Sequence, residues 1–149
     1  MISFTYVSEY TGTPDEQLRD LQSIYDASLV NNLNRGITGA LIYCNNHFLQ
    51  TLEGDEYEVK ELFSIISADT RHKNVVSLFN DQTIERMYPE WNMQPINLDR
   101  EELFTSENLK KIKAIIERNI QVDSITYHEL LRQVLDNPKI TDLIIARHD

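Results

Sequence analysis

Residues 36–54 read Gly36-Ile37-Thr38-Gly39-Ala40-Leu41-Ile42-Tyr43-Cys44-Asn45-Asn46-His47-Phe48-Leu49-Gln50-Thr51-Leu52-Glu53-Gly54, and this stretch decides the fold. Two apolar-rich runs, Ile37 to Cys44 and Phe48 to Leu52, flank Asn45-Asn46. Asparagine accepts the left-handed backbone that a tight hairpin turn needs, so the stretch predicts two antiparallel strands.

Upstream, Ile2-Ser3-Phe4-Thr5-Tyr6 alternates apolar and polar residues, the period of a strand with one buried face, and Tyr6 shares that face with Ile2 and Phe4. Thr13, Pro14 and Glu16 form a capping box with proline at the first helical position. Leu18, Leu21, Ile24, Tyr25 and Leu29 continue at helical spacing and predict a helix from Pro14 to Val30, followed by a polar loop, Asn31 to Gly36. Downstream, Val59, Leu62, Phe63 and Ile66 predict a second amphipathic helix ending near Asp69-Thr70-Arg71-His72. Val75 to Asn80 reads as strand four and Trp91 to Ile96 as a short fifth strand. The order predicts an α+β, ferredoxin-like βαββαβ(β) sandwich, a mixed sheet with two helices on one face.

The remainder is helical. Ser106 is placed to cap a helix carrying Leu109, Ile112, Ile116 and Ile120. Thr126 and Glu129 read as a capping box, with Ile125 and Leu130 as its hydrophobic staple. Asn137-Pro138 stops that helix, and Ile140, Leu143, Ile144 and Ile145 form a last apolar segment. These observations divide the chain into residues 1–97 and a C-terminal helical extension, residues 98–149. The extension must bury its apolar stripe, and the uncovered sheet face is the expected place, with a partner protein or a second copy as the alternative.

Composition narrows the function. The 149 residues include 24 acidic and 14 basic ones, a formal net charge of -10. Fifteen of the acids and seven of the bases lie in residues 1–100. Such charge opposes a phosphate backbone, so direct nucleic-acid binding is not expected. No apolar run approaches the length of a membrane span, and Met1-Ile2-Ser3-Phe4-Thr5 has no leader pattern, so a cytoplasmic protein is expected. One cysteine, Cys44, precludes an internal disulfide or a Cys-based zinc site. Four glycines give neither GxGxxG nor a P-loop, and His47, His72, His128 and His148 show no ligand spacing.

A polar residue interrupts the apolar face of strand three. Gln50 shares the side of Phe48 and Leu52 and requires a buried partner. Tyr6, on the neighbouring inward face, is the candidate. The pair reads either as a core tyrosine bonded to a core glutamine, or as part of a ligand site between helices and sheet with Asn31 and Asn32 at its mouth.

Four segments together resemble the BLUF domain, a blue-light sensor that uses flavin: Gly36-Ile37-Thr38-Gly39; Phe48-Leu49-Gln50 with Leu52-Glu53-Gly54; Asp69 with Arg71-His72; and Trp91 with Met93. The likeness covers residues 1–97 and is closest to the short class, which carries only a small helical extension. It implies a bound flavin, usually FAD, between the two helices. It implies Tyr6 as electron donor to the photoexcited flavin and Gln50 as the amide bridging Tyr6 and the ring, with Trp91 and Met93 feeling the change. It also implies Asn32, with Asn31 and Ser28, at the polar ring edge, Ile24 and Ile66 on the ring faces, Ile37 and Phe48 lining the pocket, and Asp69, Arg71 and His72 at the other edge.

Two positions depart from the family. Ser64-Ile65-Ile66 lacks the basic residue common there, so FMN or riboflavin is tolerated beside FAD, and Asn92 leaves open which of Trp91 and Met93 points inward. The expected activity is reversible light sensing without catalysis, read by a downstream regulatory protein, with a homo-oligomer as a further outcome. A flavin reductase or acylphosphatase-like enzyme on the same scaffold is the alternative.

Overall fold

The computed structural model describes residues 1–99, 107–118 and 120–144. Five strands form one sheet in the order β4-β1-β3-β2-β5: β1 (Ile2–Tyr10), β2 (Thr38–Cys44), β3 (His47–Gly54), β4 (His72–Gln82) and β5 (Asn92–Asn97). All pairings are antiparallel except β2 with β5, so the sheet is mixed. The hairpin forms as expected: Cys44 pairs with His47, and Asn45 and Asn46 carry φ of 46° and 61°, the positive values that a two-residue turn of type I′ demands. Gly39 has φ 151° and crosses so close to β3 that a Cβ there would lie 1.8 Å from the Thr51 carbonyl oxygen. Only glycine fits.

Helices α1 (Gln17–Arg35) and α2 (Glu56–Ser67) cover one face. Alternation along the strands sorts the core. Ile2, Phe4, Tyr6 and Leu52 pack with Val59 and Leu62 of α2, while Tyr10, Leu41, Tyr43 and Phe48 pack with Leu21 of α1. The opposite face, with Val7, Ala40, Ile42, Cys44 and Leu49, packs against α3 (Glu107–Arg118) and α4 (Ser124–Asp136). The extension therefore buries its stripe on the sheet face that the first two helices leave open.

Strand four is longer than expected, His72–Gln82, Ile120 lies beyond the end of α3 at Arg118, and three helix ends differ from the sequence reading. Pro14 to Glu16 form a turn rather than helix: Glu16 accepts from the Thr13 amide at 3.2 Å, but its own amide bonds the Thr13 carbonyl at 3.0 Å, so α1 starts at Gln17. At its other end α1 absorbs the expected loop. Asn31 to Arg35 stay helical because Gly36 takes the left-handed C-cap (φ 66°) and Ile37 N–H donates to the Asn32 carbonyl at 2.9 Å. On α4 the cap is Asp123, whose carboxylate accepts from Thr126 N–H at 2.7 Å, so Thr126 lies inside the helix and Ile125, 74% exposed, staples nothing.

Asn137-Pro138 ends α4 as expected, leading into a 3-10 turn, Pro138–Asp142, in which Ile140 is buried; Leu143 follows, buried too, and Ile144 bridges to Ile96 of β5. Ser106, Ile145 and His148 lie outside the described residues. Among the described residues no helix is long and apolar enough to cross a membrane.

Candidate functional site

A cavity of about 160 Å³ opens between α1, α2 and the sheet. One water centre occupies roughly 10–15 Å³ on that scale, so the space is ligand-sized. From α1 come Ile24, Ala27, Ser28, Asn31 and Asn32, recurring at i, i+3, i+4, i+7 and i+8 along one helical face. From α2 come Leu62, Ile65 and Ile66, followed by Asp69, Arg71 and His72 after its end. The sheet supplies the floor: Tyr6, Leu41, Phe48 and Gln50.

Tyr6 and Gln50 are opposite one another in the β1–β3 pairing, and Tyr6 Oη donates to Gln50 Oε1. An O–H donor needs an acceptor, which orients the amide and leaves Gln50 Nε2 to donate to Met93 Sδ at 3.4 Å. Burial, helped by the charge of Asp69, pushes the Tyr6 phenol far above its ordinary range, so it stays protonated. Met93 is fully buried with φ 64° at the start of β5.

The walls are polar at two places. Arg71 clamps Asp69 through Nε (3.0 and 3.1 Å) and Nη2 (2.5 Å), and its Nη1 reaches Ser23 Oγ at 3.0 Å. That clamp holds the Asp69 carboxyl below the usual carboxylate range. His72 Nε2 lies 2.6 Å from the Ile66 carbonyl oxygen, which fixes a proton there, and Nδ1 meets Ser8 Oγ at 2.8 Å. Across the cavity Ser28 Oγ is engaged with the Ile24 carbonyl at 2.8 Å. Asn32 is only 4% exposed and its Nδ2 has no hydrogen-bond partner. A buried amide donor left unpaired beside a cavity calls for an acceptor in the ligand.

Of the fourteen residues that the sequence reading placed in the pocket or its photochemistry, the structure gathers eleven around the cavity: Tyr6, Ile24, Ser28, Asn31, Asn32, Phe48, Gln50, Ile66, Asp69, Arg71 and His72. Ile37 is a correction. It follows the α1 cap, packs 3.2 Å from where a Cβ on Gly54 would stand, and belongs to the core with Ile2, Leu52 and Val59. Met93 faces Gln50, whereas Trp91 lies in the opposite core cluster with Tyr88 and Leu98, and its carbonyl accepts from Gly39 N–H at 3.0 Å. Ala27, Leu41, Leu62 and Ile65 were not singled out. Ala27 was accessible from helical spacing between Ile24 and Asn31, and Leu41 from the hairpin register opposite Gln50.

A sheet with two helices enclosing a largely apolar, amide-edged cavity defines a small-molecule-binding α+β sandwich. The family model described as "Sensors of blue-light using FAD" matches residues 1–94, and the chain belongs to this BLUF family, whose domain senses blue light with a flavin. Its relatives include the photoactivated adenylate cyclase subunit alpha of Euglena gracilis, 40% identical over 88 residues, which are 59% of this chain and 8% of that protein. The blue light- and temperature-regulated antirepressor BluF of Escherichia coli is 31% identical over 84 residues, 56% of this chain and 21% of that one. The chain thus spans a minor part of these relatives. Among solved structures, the dark state of the BLUF protein BlrB superposes with a TM-score of 0.71 at 30% identity, covering 89% of this chain and 95% of that one.

The cavity fits the flavin that the family uses. The unpaired Asn32 amide suits a ring carbonyl or ring nitrogen, and Ile24 and Ile66 offer apolar surface from the two facing helices.

Proposed function

We propose that Tyr6 and Gln50 are the photochemical pair of this sensor, with Asn32, Asn31 and Ser28 holding one ring edge, and Asp69, Arg71 and His72 holding the other. The observation that carries the reading is the buried Tyr6–Gln50 hydrogen bond on the cavity floor. A flavin held there would supply a ring that absorbs blue light and, once excited, can accept an electron and a proton. Tyr6 is suited to release both together, because burial disfavours a free phenolate. Its proton sits against Gln50 Oε1, and a primary amide accepts at oxygen and donates at nitrogen. Gln50 can therefore exchange its donor and acceptor roles, and the contact it gives up on the other side, Nε2 to Met93 Sδ at 3.4 Å, is a weak one. Arg71, neutralised by Asp69, fixes the wall geometry, and the half-exposed Ile65 at the mouth presents no charge to a phosphate. FMN and riboflavin are accordingly tolerated beside FAD.

The signal leaves through binding rather than turnover. Residues 1–97 act as the sensor and residues 98–149 as its cap and output, regulating a protein partner in the cytoplasm; the light-regulated antirepressor relative supports a readout of this kind. Absorption spectra of the purified protein in darkness and under blue light test the proposal. A red shift that reverses in the dark is expected. A colourless protein, a flavin band that light leaves unmoved, or steady NADH or acyl phosphate turnover overturns it.

A further inference from the structure

The two faces of β3 do different chemistry at adjacent residues. Gln50 faces the cavity, while Thr51 faces the other way, toward α4. Thr51 is paired with Thr5 across β1 just as Gln50 is paired with Tyr6. Thr5 Oγ1 and Thr51 Oγ1 lie 2.8 Å apart, and Thr51 Oγ1 lies 2.9 Å from Tyr127 Oη of α4. These three hydroxyls are fully buried and hydrogen-bond in a row. Each carries one proton, so the row has a direction that can reverse.

α4 is held along its length by such bonds. Ser124 Oγ donates to Asp81, Tyr127 joins Thr51, His128 Nδ1 meets Tyr88 Oη at 2.7 Å, and Arg132 reaches the Met87 carbonyl and Glu90 at 2.8 and 2.7 Å. Positions 124, 127, 128 and 132 mark one helical face. The aliphatic anchors Leu131, Val134 and Leu135 lie in its second half, whereas the buried anchors of the first half, Tyr127 and His128, each also carry a hydrogen bond, the Tyr127 ring packing on Phe79 at 5.2 Å. α3 differs: its inward residues are Leu109, Ile112, Ile115 and Ile116. Hydrogen bonds exchange with water at little net cost, whereas apolar surface does not. The first half of α4 is thus the part of the extension in which every inward residue, Ser124, Tyr127 and His128, is held by a side-chain hydrogen bond.

We propose that the first half of α4, Ser124 to His128, is the element released on illumination, and that the hydroxyl row Thr5–Thr51–Tyr127 couples it to Gln50. The inference rests on Tyr6 and Gln50 being the photochemical pair. Rearrangement of the Gln50 amide displaces β3 at that residue. Thr51, the next residue on the same strand, moves with it and alters its bond to Tyr127.

Hydrogen exchange of the flavin-loaded full chain, followed by mass spectrometry in darkness and under blue light, tests this. Loss of one net hydrogen bond corresponds to about a tenfold change in a local opening equilibrium. Amides of residues 124–131 are expected to exchange about tenfold faster in the light, with α3 unchanged. In Tyr127→Phe the red shift persists, while the light–dark exchange difference disappears. Thr51→Val behaves alike, and Thr51→Ser restores the difference. A tyrosine with a merely structural role speeds exchange in both states and leaves the difference intact, and that result in Tyr127→Phe overturns the proposal. So does a wild-type response confined to α3 or to the β4–β5 connection. A wild-type protein with no red shift refutes the photochemical pair instead; a red shift without an α4 response refutes this coupling alone.

Discussion

Replacing Tyr6 by Phe removes a single oxygen from the centre of the site. The ring stays, so its packing against Phe63 (5.5 Å between centroids) and Phe4 (6.5 Å) is preserved. What changes is Gln50, only 4% exposed, whose Oε1 loses its donor. An unpaired buried acceptor costs about 1–3 kcal/mol. For a chain of this length each kcal/mol lowers the melting temperature by roughly 2–4 °C, so a drop of roughly 2–12 °C is expected. Gln50→Met alone should cost a similar amount by stranding the Tyr6 hydroxyl. The double variant, with both polar groups replaced by apolar ones of similar shape, should recover most of the loss, giving a coupling energy of about 1–2 kcal/mol in a double-mutant cycle. Urea unfolding in the dark measures all four corners. Costs that simply add would show that the two groups are not each other's partners. The same Tyr6→Phe protein should bind flavin and stay yellow yet show no light-induced red shift, and a persistent red shift would remove Tyr6 from its assigned role.

Three further outcomes follow from the site and its supports. Asn32→Ala should weaken flavin binding about tenfold, the equivalent of one buried hydrogen bond, as measured by quenching of flavin fluorescence on titration. Glu53 is fully buried and accepts from the Met87 and Tyr88 amides, yet burial still pushes its carboxyl above the ordinary value of 4.5. A raised folded-state value means stability is greatest below pH 4.5 and declines as pH rises through the folded-state titration, so Glu53→Gln should flatten the fall in urea midpoints above pH 4.5. Gly39→Ala forces a Cβ into the Thr51 carbonyl at a φ of 151°, and should cost at least roughly 3 kcal/mol, seen as loss of the cooperative unfolding transition or of soluble expression.

The sheet was readable because its signals are short-range and redundant. The hairpin rests on two adjacent asparagines, and the strand faces on strict alternation, both properties of neighbouring residues. Where the reading slipped, a local signal was overruled by a better one nearby. Thr126 looks like a helix cap in isolation, but Asp123 lies three residues earlier and caps as well, so the helix starts sooner. Asn31 to Arg35 look like a loop by composition, but the left-handed Gly36 terminates α1 wherever it falls, and the helix runs up to it. That extension matters to function, since it keeps Asn31 and Asn32 on the helical face that starts at Ile24 and so places both in the cavity wall.

The site was half legible for a reason that also explains the coupling. A polar residue on a face that should be apolar is visible in sequence, and Gln50 was found that way. Thr51 is invisible by the same test, because a threonine on a strand is ordinary and because its face was expected to meet only apolar helix residues. Yet Ser3, Thr5, Thr51 and Glu53 put a row of buried polar side chains on the outer face of β1 and β3, and Tyr127 of α4 hydrogen-bonds into it at Thr51. A sheet face intended only for permanent packing would carry Val or Ile at those positions, each worth roughly 1.5–3 kcal/mol of burial. The chain forgoes that stabilisation at these four positions of the two strands that carry Tyr6 and Gln50, while Val7 and Leu49 on the same strands and Ala40, Ile42 and Cys44 on β2 belong to the apolar cluster that includes α3 and α4. Polar docking is thus concentrated beside Tyr6 and Gln50, where the proposed coupling needs it, within a face whose remaining positions are apolar.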